Sequence, residues 1–281
     1  MTDIINNTIY FGDSESVLKD IDQRVQLVVT SPPYFNMRGE MKYDGYKEFL
    51  RKMYRVFKQV YRVLDHHRMC VVNSSDYRED GIKYPVPYDL YGVLRKIGFR
   101  FQDDIIWAKP KGIGSAKLAG IVIQNPYPMY YRPDMRYEHI MVFSKGGGRP
   151  YDHVRKEESK IDILKYKDFF SDVWEFSPQC RNERGLDTHN SAYPIILPEM
   201  ITRFYSYKYE TVLDPFFGHG TTMRATTRLS RSCIGIELYK QRERAIKKNV
   251  RYGQSSLHNN INWNIITHPS ANTNHIPTRG D

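Results

Sequence analysis

The chain has 281 residues, enough to bury a full hydrophobic core as one large domain. Forty-two Lys and Arg against 32 Asp and Glu leave a net charge of +10, which favours polyanionic partners without choosing between nucleic acid and an acidic membrane surface. Three widely spaced cysteines, Cys70, Cys180 and Cys233, form neither a C-x-x-C pair nor an even framework, so a disulfide scaffold and a structural zinc site are both unsupported and no metal is expected. The opening residues lack the basic-then-apolar plan of a secretory signal, and no apolar run approaches the ~20 residues of a membrane span. The expectation is a soluble cytoplasmic protein without membrane contact.

In chain order, "TIYFGD" and "VQLVVTS" read as strands, the second ending at Ser31, Pro32, Pro33 and Tyr34. Two prolines end hydrogen-bonded structure abruptly, since neither donates a backbone N–H. Taken alone, that stretch fits a stiff turn at a sheet edge as well as a site. Phe49, Met53, Val56, Phe57, Val60 and Leu64 then recur on one helical face. His66 and His67 follow in what reads as a polar turn, with solvated rings rather than metal ligands. "RMCVVNSS" is the next strand, a shorter helical pattern runs through Tyr91, Leu94 and Ile97, and "FRFQDDIIWAKP" and "YEHIMVFSKG" add two more strands. "ETVLD" and "SCIGIEL" supply the last pair. This alternation implies an α/β fold with a largely parallel sheet covered by helices on both faces.

Two segments break the rhythm. Residues 109 to 136 carry Lys109, Lys111, Lys117, Arg132 and Arg136 among Tyr127, Tyr130 and Tyr131. Cations interleaved with aromatics suit phosphate contact plus base stacking, and equally suit a solvated loop. Residues 145 to 178 mix both charge signs and open on glycines, as an inserted subdomain would. The domain plan is therefore a catalytic unit over residues 1–254 with a recognition insert within 109–178, followed by a loosely docked polar tail over 255–281.

"TVLDPFFGHGTTMRATTRL" places Gly218 and Gly220 between a strand ending at Asp214 and a helix starting near Thr221. Glycines there let a backbone approach a ligand closely. The next strand ends in Glu237, about twenty residues beyond Asp214, where an acid can hold both hydroxyls of a ribose. A dinucleotide fingerprint fails because Met223 occupies its third glycine position, and no phosphate-binding G-x-x-x-x-G-K-[ST] run occurs. Asp214 would repel pyrophosphate and attract an ammonium group. A plain glycine turn explains the loop equally well on its own.

Taken together, "TSPPY" at Thr30 to Tyr34 and "DPFFGHGTT" at Asp214 to Thr222 resemble the amino-group DNA methyltransferases, in the motif order of their beta group. "GDS" at Gly12 to Ser14, "DVWEF" at Asp172 to Phe176, "HNSAYP" at His189 to Pro194 and "CIGIEL" at Cys233 to Leu238 extend the likeness in the family's order. The resemblance implies a Rossmann-like methyltransferase fold with circularly permuted motifs and a mostly parallel sheet of seven strands. S-adenosyl-L-methionine is the implied cofactor. Asp214 would take its methionine amino group, Glu237 its ribose and Asp13 its adenine edge, with Thr30, Phe216, Gly218, Gly220 and Thr221 completing the pocket. "HNSAYP" corresponds to the segment that closes over the methionine end.

The implied reaction is methylation of an exocyclic amine in duplex DNA. Such an amine is a poor nucleophile because its lone pair is delocalised into the ring. The Ser31 hydroxyl and the Pro32 carbonyl, held by the fixed φ of the proline pair, would each accept an N–H and aim the lone pair at the methyl group. Tyr34 would stack on a base flipped from the duplex. Serine at the head of S-P-P-Y is typical of the branch that methylates cytosine N4, and adenine N6 is the alternative. Protection of DNA beside a separately acting cognate restriction endonuclease is the implied setting, with the enzyme a monomer or homodimer. Cytosine C5 chemistry needs a cysteine behind a proline, whereas Gln179 separates Pro178 from Cys180.

Overall fold

The computed structural model describes residues 4–33, 35, 43–79, 81–110, 127–129, 135–148, 153–178, 193–254 and 260–273. All seven apolar runs form strands. In chain order the elements are β1 (Ile4–Phe11), α1 (Ser14–Asp20), β2 (Val25–Thr30), α2 (Tyr46–Val63), β3 (Leu64–Ser74), β4 (Tyr77–Glu79), β5 (Ile82–Tyr84), α3 (Val86–Ile97), β6 (Arg100–Ala108) and β7 (Tyr137–Ser144). Then follow α4 (His153–Lys156), β8 (Val173–Glu175), α5 (Ile196–Tyr205), β9 (Thr211–Asp214), α6 (Thr221–Arg228), β10 (Ser232–Glu237), α7 (Glu243–Val250) and β11 (Asn260–Thr267).

Among the described residues the main sheet has nine strands rather than seven, ordered β11, β1, β10, β9, β2, β3, β7, β6, β8. Only β7 runs against the others. One added strand is β8, three residues pairing with β6. The other is β11, which corrects the expectation of a loose tail: all its residues pair with β1, from Ile4 opposite Asn260 to Phe11 opposite Thr267. Its alternation of Asn with Ile and Trp is a strand pattern. Part of the expected insert is likewise core, because β7 fills the position between β3 and β6.

Alternate residues of the central strands feed two apolar layers, as their period of two requires. Val25, Val28, Cys70 and Val72 pack with Phe49, Met53, Val56 and Phe57 of α2 and with Leu90 and Leu94 of α3. Leu27, Val29, Val71 and Val212 meet Leu197, Met200 and Ile201 of α5 on the other face. Ile9, Phe11 and Cys233 continue that layer against Met223, Ile246 and Val250. Each fully buried large aliphatic or aromatic side chain contributes roughly 1.5–3 kcal/mol. The α2 pattern is as expected, except that Leu64 opens β3. In α3 the buried face runs through Val86, Leu90 and Leu94, and Tyr91 stands 40% exposed one position round the helix. His66 and His67 lie within β3, not in a turn, with His67 at φ +61°. Among the described residues no helix is long and apolar enough to cross a membrane, and no group of three His, Cys, Asp or Glu could hold a metal.

Because β1, β2, β3, β9 and β10 are parallel, their C-terminal ends meet along one edge. In open α/β sheets that edge is where ligands bind.

Candidate active site

A cleft open to solvent lies at this edge. Ser31, Pro32 and Pro33, leaving β2, form one side of it. Phe216 and Gly218 from the loop after β9, with Thr221 at the start of α6, form another, and Asp13 after β1 and Glu237 at the end of β10 complete the rim. Residues more than two hundred positions apart in sequence thus share one wall, because β2 and β10 both flank β9. Tyr34, Lys111, Lys117, Arg132, Cys180 and residues 189–192 of "HNSAYP" lie outside the described residues.

The loop geometry explains its glycines. Gly218 has φ +54° and nothing within 4 Å of where a Cβ would stand, so it leaves open space on the cavity side. Gly220, at φ +81°, serves packing instead: a Cβ there would sit 2.7 Å from Val250 Cγ1 and 3.0 Å from Phe217 Cζ. It begins α6 as its N-cap and does not line the cavity.

Asp214 and Thr30 also lie behind the wall rather than in it. Asp214 is 1% exposed. Its Oδ1 accepts from Thr30 Oγ1 at 2.7 Å and from the Phe216 N–H at 3.1 Å. Its Oδ2 accepts from Thr222 Oγ1 and, at 3.4 Å, from the Tyr193 hydroxyl. Burial raises its pKa, and the four donors partly offset that rise. Burial next to this carboxylate also pushes the Tyr193 phenol well above its ordinary value. The aspartate therefore ties the end of β2, one residue before Ser31, to the glycine loop and to Tyr193, whose ring lines the cavity.

Two cations that sequence reasoning missed face the two rim acids. Lys52 of α2 reaches Asp13 Oδ2 at 2.7 Å and Glu15 Oε2 at 3.1 Å. Asp13 additionally caps α1, accepting from the Ser16 N–H at 3.1 Å. Arg242 donates to Glu237 Oε1 at 3.1 Å, and the same oxygen accepts from the Tyr239 N–H at 3.0 Å. The guanidinium lies 5.1 Å from the Tyr239 ring centroid, and its Nε and Nη2 are buried without a partner. The rim is thus a set of neutralised acids held in place, with apolar area between them from Met53, Phe216 and Ile236.

Of the expected phosphate contacts, Lys109 and Arg136 are employed inside the fold. The Lys109 N–H donates to the Arg136 carbonyl at 2.8 Å, and Arg136 Nη2 returns a bond to the Lys109 carbonyl at 2.8 Å. Lys109 Nζ pairs with the buried Glu138 at 2.8 Å. The two residues close the neck of the basic segment.

Residues 25–248 match the model of a DNA methylase family whose members act on N6 or N4 amino groups. This chain belongs to that family. The methylase is 28% identical over 298 residues to the type II methyltransferase M.MjaI of Methanocaldococcus jannaschii, covering 93% of this chain and 96% of that one. It is 28% identical to the type II methyltransferase M.BglII of Bacillus subtilis across 84% of this chain and 66% of the relative. A solved structure assigned as a DNA modification methylase of Thermus thermophilus, complexed with S-adenosyl-L-methionine, superposes with a TM-score of 0.72 at 27% identity, over 92% of the methylase and 99% of that chain. The cytosine-N4-specific PvuII DNA methyltransferase shares the fold, with a TM-score of 0.68 at 22% identity.

Proposed function

We propose that this DNA amino-methyltransferase moves a methyl group from S-adenosyl-L-methionine to the exocyclic N4 of a cytosine in duplex DNA, within a restriction-modification system. The observation that carries the reading is the sharing of one cavity by Ser31, Pro32 and Pro33 with Gly218, Asp13 and Glu237.

The residues present fit the cofactor. Glu237 suits a ribose diol, Phe216 and Ile236 offer apolar surface to a purine, and Gly218 leaves a cradle that any side chain would fill. Bound there, S-adenosyl-L-methionine supplies an electrophilic methyl on a sulfonium. The chain orients the other reactant. The Ser31 hydroxyl and Pro32 carbonyl accept the two amine N–H bonds, which turns the nitrogen lone pair toward the methyl carbon. Forming the N–C bond would break the C–S bond and release the sulfur as a neutral thioether, and the proton the amine then loses would pass by way of the Ser31 hydroxyl to solvent. The Asp214 to Thr30 bond keeps the Ser31 end of this machinery in register with the glycine loop.

Serine at the first position of S-P-P-Y favours cytosine N4 over adenine N6. Incubating the enzyme with unmethylated genomic DNA and methyl donor, then resolving the digested nucleosides by mass spectrometry, tests this. N4-methylcytosine is the expected product; N6-methyladenine alone would replace the reading with its alternative.

A further inference from the structure

A second, smaller pocket lies at the same sheet edge, where β3 ends, β7 begins and the β4–β5 hairpin folds over. It is lined by Asp76, Arg78, Lys83, Met135, Tyr137 and His139. Ser74 pairs with His139 and Thr30 with Val72, so the pocket stands at the level of the catalytic strand end and two strand spacings from it, roughly 10 Å across the sheet.

Three polar atoms on its lining residues are buried without a hydrogen-bond partner: Asp76 Oδ1, Arg78 Nε and His139 Nε2. The side chains of Asp76 and His139 are only 8% and 9% exposed. Leaving such groups unpaired costs about 1–3 kcal/mol each, which a ligand that pairs them recovers. Their chemistry is specific. Asp76 pairs with Lys83 through Oδ2, leaving Oδ1 as an acceptor. The His139 Nδ1–H donates to Asp104 Oδ2 at 2.8 Å, a tautomer in which Nε2 is a second acceptor. Arg78 Nε is a donor. Two acceptors beside one donor complement an exocyclic –NH2 next to a ring nitrogen. In the major groove adenine presents both groups, cytosine presents the amine, and guanine and thymine present no amine. Asp76 neutralises Lys83 and its remaining oxygen would repel an anion, so the pocket favours a base over a phosphate. Met135 and Tyr137 add apolar and aromatic wall.

We infer that this pocket holds the amine-bearing edge of an adenine or cytosine in the recognition sequence, distinct from the base that is methylated. The inference rests on the DNA-modifying function proposed above, and its test reads binding apart from turnover. Duplexes bound from a randomised pool are sequenced for the full-length protein and for its Asp76→Asn and Arg78→Ala forms. Arg78→Ala leaves the Asp76–Lys83 pair intact, and equal thermal midpoints show that all three are folded.

The wild type should select a motif, and each variant should lose ten- to a hundredfold of its preference at one adenine or cytosine position while keeping the others. The same preferences in all three proteins, or none in the wild type, would overturn the pocket. A methylation assay run in parallel separates the two claims. Methylation with a motif indifferent to Asp76 removes only the pocket, whereas a motif that responds to Asp76 without any methylation removes only the enzymatic reading. Loss of methylation in both variants with the selected motif unchanged would make this the pocket of the target base and also end the inference.

Discussion

Replacing Thr30 by valine keeps the volume of a fully buried residue and deletes one of the two donors to Asp214 Oδ1. A hydrogen bond to a charged group contributes about 1.5–3 kcal/mol, and no cavity adds to that loss, so Thr30→Val should cost roughly 2 kcal/mol. For a chain of this size that is a fall of about 4–8 °C in Tm. Tyr193→Phe is the internal control. Its hydroxyl stands at 3.4 Å from Oδ2 and bonds the Thr222 hydroxyl, which continues to serve that oxygen, so the loss of one neutral hydrogen bond, about 1 kcal/mol, is expected. Urea unfolding of the wild type and the two variants gives the order directly. Because Thr30 precedes Ser31, Thr30→Val should also reduce kcat more than it weakens cofactor binding, as measured by isothermal titration. Equal stability of Thr30→Val and wild type, or a larger loss in Tyr193→Phe, would refute the account of Asp214 as the tie between β2 and the glycine loop.

Ser31→Ala should lower kcat by two orders of magnitude or so with cofactor affinity unchanged, since its acceptor acts mainly in the transition state; a parallel rise in cofactor Kd would contradict that role. Arg242→Gln should weaken cofactor binding about tenfold by releasing Glu237, with kcat at saturation nearly intact in steady-state kinetics. For Glu15, burial acts to raise the pKa, but hydrogen bonds from Lys52, Arg55 and Lys19 outweigh it and lower the value from 4.5 to about 2. Its stabilising effect is therefore complete above pH 4.5 and lost as pH falls through about 2, so the difference between wild type and Glu15→Gln, about 1 kcal/mol at pH 7, should shrink in denaturation curves taken at successively lower pH. Lys109→Met should reduce stability and leave the salt slope of DNA binding unchanged, whereas loss of a true phosphate contact lowers that slope by about 1.

The strands legible in the sequence were those whose β-branched runs are buried on both faces, such as "VQLVVT" and "SCIGIE". β11 escaped because alternate asparagines look like a polar tail, and only its pairing with β1 reveals the strand. β8 is too short to show a period. The site was legible as two motifs because each places its signal within a few residues. Lys52 and Arg242 carried no such signal: a cation on an amphipathic helix, or in the turn just before one, ordinarily faces water, and only the fold brings them to Asp13 and Glu237. The same applies to the roles of Asp214 and Gly220, where residue type was informative and direction was not. Whether a carboxylate at a strand end faces a ligand or its own neighbours depends on Thr30, Thr222 and Tyr193, which lie on three separate segments.

The reciprocal bonds between Lys109 and Arg136 place two fixed posts at the foot of the basic segment. A chain anchored at both ends pays little for added length, about 0.6 kcal/mol for each doubling. Residues between the posts can therefore be exchanged, lengthened or grafted from another methylase while β6 and β7 keep their register. Such changes would leave in place the strand ends that carry the candidate active site.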